Sequence, residues 1–167
     1  MEKAKKHRKK EVSFFLYIKS WEKEIPTHWR NVLIAEALNY CVYNEDLVIK
    51  GYWLTQKRLY LVILTEKHSA EHILNVFAKQ VAKGMYEYQY RLKNSQTTSS
   101  KSILFTDLFI KLPLYNQYII QLITGEKILL PYYNPYVVQL QHKIHDDNYC
   151  SAIDYRGAIG PVVVKTH

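Results

Sequence analysis

Residues 48–64, VIKGYWLTQKRLYLVIL, decide the fold class of this chain. Together with Leu47 they form two apolar runs, 47–54 and 58–64, that are rich in β-branched and aromatic residues and are separated only by Thr55, Gln56 and Lys57. Runs of this length and composition are typical of β-strands, and so short a gap is typical of a tight hairpin. The pattern therefore predicts an antiparallel strand pair, although the glycine that often occurs in such turns is absent.

The segments on either side of this hairpin predict one further strand and two helices. Residues 11–19 place apolar side chains at every second position, which is typical of a strand. Residues 29–41 repeat apolar side chains at helical spacing, after a turn at Pro26. Ser69 is a suitable N-cap for a second, long helix, which is predicted to end near Arg91.

The C-terminal third of the chain is less regular. A short strand is predicted over 103–105, followed by a helix over 107–124 that Pro113 interrupts. An Asn-Pro pair is predicted to cap and start a helix over 134–145, and a last strand is predicted over 162–165. No internal repeat is predicted. This part of the chain is therefore expected to add helices to the main sheet.

The order strand, helix, strand, strand, helix predicts an α/β (α+β) fold. We expect a ferredoxin-like split βαβ antiparallel sheet with two covering helices on one face and additional C-terminal helices. Residues 1–10 are predicted to form a basic flexible arm, and residues 11–167 a single α+β domain, since this length can bury a sizeable core. The fold class by itself does not identify a function.

Positive charge is concentrated at the start of the chain. The formal net charge is +8, of which the first ten residues carry +5 and the remaining 157 carry +3. An arm of this kind can neutralise phosphates and gives affinity that is salt-sensitive and independent of sequence. The alternative is that the arm only increases solubility. The arm residues predicted to bind nucleic acid are Lys5, Lys6, Arg8, Lys9 and Lys10.

Cysteine usage and hydropathy predict a cytoplasmic protein with no membrane partner. Cys41 and Cys150 form no CxxC pair, and no apolar run approaches the roughly 20 residues that cross a bilayer. The chain also has no glycine-rich phosphate loop, GxSxG elbow, HExxH motif or Cys-His zinc pattern. These common kinds of catalytic and metal site are therefore not predicted.

Three consecutive features resemble the central block of the single-tyrosine HUH transposases, which include the REP-associated tyrosine transposases of bacteria. They are residues 38–41 (LNYC), residues 48–64 and the helix that starts at Ser69. The resemblance covers residues 11–93 and is one of layout more than of identity. It implies a transposase-like domain that binds DNA, single-stranded or hairpin-forming, and a homodimer in which strands pair across the interface. It also implies a role in DNA transposition by a mobile element.

In that family the second hairpin strand carries His-x-His, which binds a divalent cation. The matching positions here are Arg58 and Tyr60, and no His-x-His occurs in the chain. Arginine has no lone pair for a metal and neutral tyrosine is a poor ligand, so we predict no metal site, no cofactor and a catalytically inactive protein. The two side chains should share one sheet face and could hold a phosphate and a stacked base. Alternatively, they simply pack under the C-terminal helices. The predicted basic surface also includes Lys57, Lys79 and Lys83.

The resemblance also requires a helix-borne tyrosine nucleophile, for which Tyr115 and Tyr118 are the positional candidates. The family often places a metal-binding Gln four residues later, whereas Gln121 follows Tyr118 by three. One alternative is an active transposase with an atypical site, in which Arg58 holds the phosphate and Mg²⁺ or Mn²⁺ could still be required. Another alternative is a protein-interaction module whose tyrosine-rich face binds protein rather than nucleic acid.

Overall fold

The computed structural model describes residues 9–65, 70–93 and 103–166. Its strands are β1 (Lys10–Ile18), β2 (Val48–Leu54), β3 (Arg58–Thr65) and β4 (Phe109–Pro113). Its helices are α1 (Thr27–Asn44), α2 (Ala70–Lys93), α3 (Phe105–Leu108), α4 (Gln117–Ile123), α5 (Pro135–Asp146) and α6 (Ala152–Tyr155), and a 3₁₀ helix spans Ser20–Glu24. No helix within these described ranges has the length and apolar character needed to cross a membrane.

The four strands form one antiparallel sheet in the order β2-β3-β1-β4. Together with α1 between β1 and β2, and α2 between β3 and β4, this is the topology of the ferredoxin-like split βαβ fold. The predicted fold class is therefore confirmed. The β2–β3 turn needs no glycine because neither Gln56 nor Lys57 adopts a positive φ.

The predicted secondary structure of the C-terminal third was wrong in several elements. Residues 109–113 pair with β1 as an edge strand instead of continuing a helix, and the helix α4 starts only after Pro113. Only Phe109 of this strand is buried, so the sequence shows no alternation of buried and exposed residues that would predict a strand here. Residues 109–113 are a strand because they pair with β1. Residues 103 and 104 form no strand and Phe105 is the first residue of α3, and residues 162–165 form no strand of the sheet. The helix capped by Asn134 is confirmed.

One face of the sheet is covered by α1 and α2, as the alternation of β1 predicts. Phe14, Leu16 and Ile18 of β1 are at most 1% exposed and belong to this core. The helices contribute side chains at helical spacing, among them Ile34, Leu38, Phe77 and Val81. This layer is the main hydrophobic core of the protein.

The opposite face is covered only in part, by the C-terminal helices. α4 crosses β2 so closely that a Cβ on Gly51 would lie 2.5 Å from the carbonyl oxygen of Ile123. The second core consists of Trp53, Tyr60, Val62, Leu114, Ile119, Leu122, Ile123, Leu140, Ile144, Cys150 and Ala152. Beyond this cover, Ile110 and Leu112 of β4 stay 44% and 41% exposed. The sheet therefore has one closed face and one half-open face.

The chain after α5 forms hydrogen bonds with the outer edge of β2. The amide of Leu54 donates to the carbonyl of Tyr149 at 2.9 Å, and the amide of Ser151 donates to the carbonyl of Tyr52 at 2.9 Å. The buried Ser151 hydroxyl accepts from the Tyr52 amide at 3.0 Å and donates to the Ile123 carbonyl at 2.5 Å. One serine thus joins β2, the end of α4 and the C-terminal segment.

Candidate functional site

Arg58 and Tyr60 lie side by side on the half-open face of the sheet. Both belong to β3, where alternate residues share a face, and they pair across to Tyr17 and Phe15 of β1. Nη1 of Arg58 donates to the hydroxyl of Tyr60 at 3.3 Å. The two positions that the predicted resemblance aligns with the family's cation-binding histidines are therefore adjacent in space.

The ring of Tyr60 is enclosed by other aromatic side chains. It stacks on Trp53 with 5.1 Å between ring centroids and an interplanar angle of 18°, and Phe15 lies 5.5 Å away at 41°. Tyr60 is only 7% exposed. A base could stack on this ring only by displacing one of these neighbours. The ring of Tyr60 is therefore packed under the C-terminal helices, as one of the two interpretations of the sequence expected, and its hydroxyl positions Arg58.

The guanidinium of Arg58, in contrast, is exposed and held in place. Its carbon Cζ lies 5.4 Å from the ring centroid of Phe15, a cation–π contact, and the hydrogen bond to Tyr60 fixes its other side. That hydrogen bond raises the pKa of Arg58 above its ordinary value, which is already high enough to keep the side chain charged at physiological pH. Because a guanidinium has five N–H donors, several remain for the oxygens of an anion.

Arg58 borders a strip of aromatic and apolar side chains, which we call the open strip. Across the strands, Tyr17 pairs with Arg58 on one side and with Ile110 on the other, and Phe15 pairs with Leu112. The open strip consists of Phe15, Tyr17, Arg58, Ile110 and Leu112. None of its five members is fully buried, and it contains one cation and no carboxylate. An anionic ligand with flat apolar groups is compatible with this surface.

The residues at the metal positions do not fit a divalent cation. Arg58 has no lone pair to donate, and the Tyr60 hydroxyl already accepts a hydrogen bond from Arg58. Within the described ranges, no group of three His, Cys, Asp or Glu side chains is arranged to hold a metal ion. Both cysteines are fully buried, and burial raises the pKa of Cys41 and of Cys150 to about 12, so neither is a reactive thiolate.

The predicted basic residues do not form one surface. Lys57 is exposed at the hairpin tip and directly precedes Arg58. Lys79 and Lys83 are on α2, which packs on the other face of the sheet, and Lys83 lines the α1–α2 groove beside Glu36. The structure therefore brings only Lys57 close to Arg58.

The arm begins at the far end of β1 from Arg58. Lys10 pairs with Thr65, whereas Arg58 pairs with Tyr17 seven residues later, a separation of about 23 Å along a strand. Lys9 and Lys10 are exposed, and Lys10 already belongs to β1. Lys5, Lys6 and Arg8 lie outside the described residues. A ligand that contacts both ends must therefore be extended.

The candidate nucleophiles lie at the start of α4, on the same side of the sheet as Arg58. Tyr115 is 81% exposed and precedes the N-cap Asn116. Tyr118 is half-buried against the second core, and its ring meets that of Tyr136 edge-on at 6.5 Å. Among the described residues no hydrogen bond reaches either tyrosine hydroxyl. A nucleophilic hydroxyl requires a neighbouring base or metal, and neither candidate has such a base within hydrogen-bond distance.

Sequence reasoning missed an internal repeat in this region. Residues 112–122, LPLYNQYIIQL, and residues 130–140, LPYYNPYVVQL, are identical at seven of eleven positions. Asn116 and Asn134 stand at the same place in the two copies. Each is an N-cap that accepts from the amides two and three residues ahead. The prediction of no repeat was wrong, and aligning the chain with itself at a shift of eighteen residues would have found it.

No family model, curated protein or solved structure matches this chain. The likeness to the single-tyrosine transposases thus stays a prediction from the layout of residues 11–93. The function has to be argued from the surfaces described above.

Proposed function

We propose that this chain is a nucleic-acid-binding protein of the single-tyrosine transposase type that binds single-stranded or hairpin DNA without cleaving it. The observation that carries the proposal is the exposed guanidinium of Arg58, held by the Tyr60 hydroxyl and the Phe15 ring at the border of the open strip. A fixed cation next to exposed aromatic surface suits a phosphate and its neighbouring base.

Charge and shape support a single strand more than a duplex. The chain carries +8, so phosphates are attracted to it as a whole. The open strip is a sheet surface with no protruding helix for a major groove. Unpaired bases can lie flat on such a surface, whereas paired bases present only their edges. A homodimer is part of the proposal, since β4 lies at an edge of the sheet where a strand of a second copy can pair.

Substitution of Arg58 by alanine is expected to weaken binding of a labelled single-stranded oligonucleotide about tenfold, because one charge-assisted phosphate contact is lost. The slope of log affinity against log salt should fall by about one. Fluorescence anisotropy across a salt series measures both quantities. Arg58→Lys, which keeps the charge but loses the forked donors, should be intermediate.

Arg91→Ala is the matched control, since Arg91 is equally an exposed arginine but lines the α1–α2 groove. It should change the affinity little. Wild-type protein that binds no oligonucleotide, or binds with an affinity independent of salt, contradicts the proposal.

No nicked product is expected when hairpin-forming single-stranded DNA is incubated with the protein and Mg²⁺ or Mn²⁺, because the residues at the metal positions are poor ligands. Denaturing gels resolve cleaved from intact strand. Cleavage that disappears in Tyr118→Phe or Tyr115→Phe, but not in the control Tyr43→Phe, would establish an active transposase. Metal-independent cleavage that requires Arg58 would establish the atypical site.

A protein-interaction module is the second candidate function. The outer faces of α1 and α2 expose aromatic side chains, namely Trp29, Tyr43, Tyr86 and Tyr90, at 43%, 74%, 52% and 55%. A groove of about 500 Å³ runs between these helices and is lined by Trp29, Leu33 and Tyr88, among others. Exposed aromatic side chains of this kind are enriched at protein interfaces. Binding of protein here without affinity for nucleic acid would favour this candidate.

A further inference from the structure

The two copies of the repeat lie side by side in the structure. Nδ2 of Asn116, the N-cap of α4, donates to the hydroxyl of Tyr136 in the first turn of α5 at 2.8 Å. Tyr118 and Tyr136, which occupy the same place in the two copies, have ring centroids 6.5 Å apart. The first turns of α4 and α5 are therefore linked directly, and the residues preceding each N-cap lie at the same end of the helix pair.

Part of the repeat has an evident structural role. Ile119 and Leu122 of the first copy correspond to Val137 and Leu140 of the second; all four are buried, and Ile119, Leu122 and Leu140 belong to the second core. They attach both helices to the same apolar layer on the sheet. The two asparagines satisfy helix amides. Folding therefore explains the inward positions and the caps.

Folding does not explain the tyrosine that precedes each cap. Tyr115 and Tyr133 occupy the same place in the two copies and are 81% and 76% exposed. Two aromatic rings presented to solvent at equivalent, capped helix starts form a duplicated surface. We call these two residues the tandem tyrosines. A duplicated surface suits a ligand that is itself built of repeated units.

Charge favours a polyanion as that ligand. Neither copy contains a charged residue. α4 packs on the same sheet face as Arg58. Nothing in the two copies repels phosphates, and the Arg58 cation lies on the sheet face that α4 covers.

We propose that Tyr115 and Tyr133 stack on two bases of one single-stranded nucleic acid. This inference rests on the proposed function and adds the part of the ligand that the tandem tyrosines contact. Every base has a flat face, so stacking on tyrosine tolerates any sequence, in keeping with a chain that attracts phosphates through its overall charge. The caps fix the backbone next to each tyrosine, which limits where the two rings can lie and lowers the entropic cost of ordering the strand. A proline-rich peptide also packs on tyrosines but gains nothing from the charge of +8.

The test compares the double variant Tyr115→Ala/Tyr133→Ala with the wild-type protein in binding of an oligothymidine of roughly 12 nucleotides. We expect about a tenfold loss of affinity for each ring, and on the order of a hundredfold for both, with an unchanged salt slope. Tyr115→Phe/Tyr133→Phe should bind like the wild type because the stacking face is kept. An oligonucleotide of the same length with abasic sites should bind both proteins equally weakly, since it retains only the phosphates.

Tyr43→Ala/Tyr90→Ala is the matched control, as these exposed tyrosines lie on α1 and α2. It should bind like the wild type, and circular dichroism of each variant reports whether it is folded. If the wild type binds and the tandem alanine variant retains its affinity within about twofold, the stacking inference is overturned while the proposed function stands. If the wild type binds no oligonucleotide, both fail. If the tandem alanine variant loses binding to a polyproline peptide that the wild type binds, and its binding to DNA is unchanged, the inference is overturned in favour of a peptide ligand.

Discussion

Replacement of Gly51 by valine is expected to detach α4 from the sheet and to lower the free energy of unfolding by about 3 kcal/mol or more. A Cβ at this position would lie 2.5 Å from the backbone oxygen of Ile123 and 2.8 Å from its carbonyl carbon. These atoms are backbone and cannot rotate away. They are also held by Ser151, whose hydroxyl donates to the same oxygen. The strain therefore has to be relieved by moving the helix.

Urea unfolding followed by far-UV circular dichroism gives the change in stability. Gly51→Ala introduces the same close contact with fewer atoms and should give a smaller loss. Gly84→Ala is the control, since its new Cβ would meet only the mobile end of Leu33 at 2.5 Å. Alanine also gains about 1 kcal/mol of helix propensity there, so this variant should be close to neutral. A Gly51→Val midpoint equal to that of the wild type would mean that the backbone of α4 does not press on β2 at this position.

Replacement of Arg30 by alanine is expected to cost about 3 kcal/mol of folding free energy. Arg30 is 2% exposed and lies under the β2–β3 turn. Its guanidinium donates to the carbonyl of Thr55 at 3.2 Å, to that of Gln56, and to the side chain of Asn31. Without it, the turn carbonyls lose their donors and a cavity replaces the side chain.

Arg30→Met separates these two losses, since it fills the space without donating hydrogen bonds, and it should recover only part of the stability. Arg91→Ala serves as control, because an exposed arginine typically changes stability by no more than about 0.5 kcal/mol. Urea midpoints compare the three variants. If Arg30→Ala unfolds at the wild-type midpoint, the guanidinium does not support the turn.

The two substitutions affect elements that hold proposed binding residues. Gly51 allows α4, which follows Tyr115, to pack closely on β2, and Arg30 holds the turn that ends at Arg58. In this turn Thr55 donates its amide to the Arg58 carbonyl at 2.8 Å, and its hydroxyl oxygen accepts from the Arg58 amide at 3.1 Å. Gly51 and Arg30 contact no ligand in the proposal, but both position elements next to the proposed binding residues. Their substitution should therefore reduce binding as well as stability.

Local patterns predicted the parts of the fold that are stabilised by near neighbours in sequence. The hairpin, the alternation of β1 and the Asn134 cap depend on contacts a few residues apart, and all three are confirmed. β4 was missed because a strand with one buried residue has no alternation to detect. The repeat gives no signal in the periodicity of a single element, because it consists in the identity of residues 112–122 with residues 130–140 at seven positions.

Sequence alone determined that Arg58 and Tyr60 share a face, since side chains alternate along any strand. It could not determine which of them meets solvent. Tyr60 is enclosed by Trp53 and Phe15 under the second core, while Arg58, two residues away, is exposed. The difference arises because α4 and α5 cover one end of the sheet face and leave the other uncovered. How far a helix extends over a sheet depends on contacts between distant segments, which only the tertiary structure brings together.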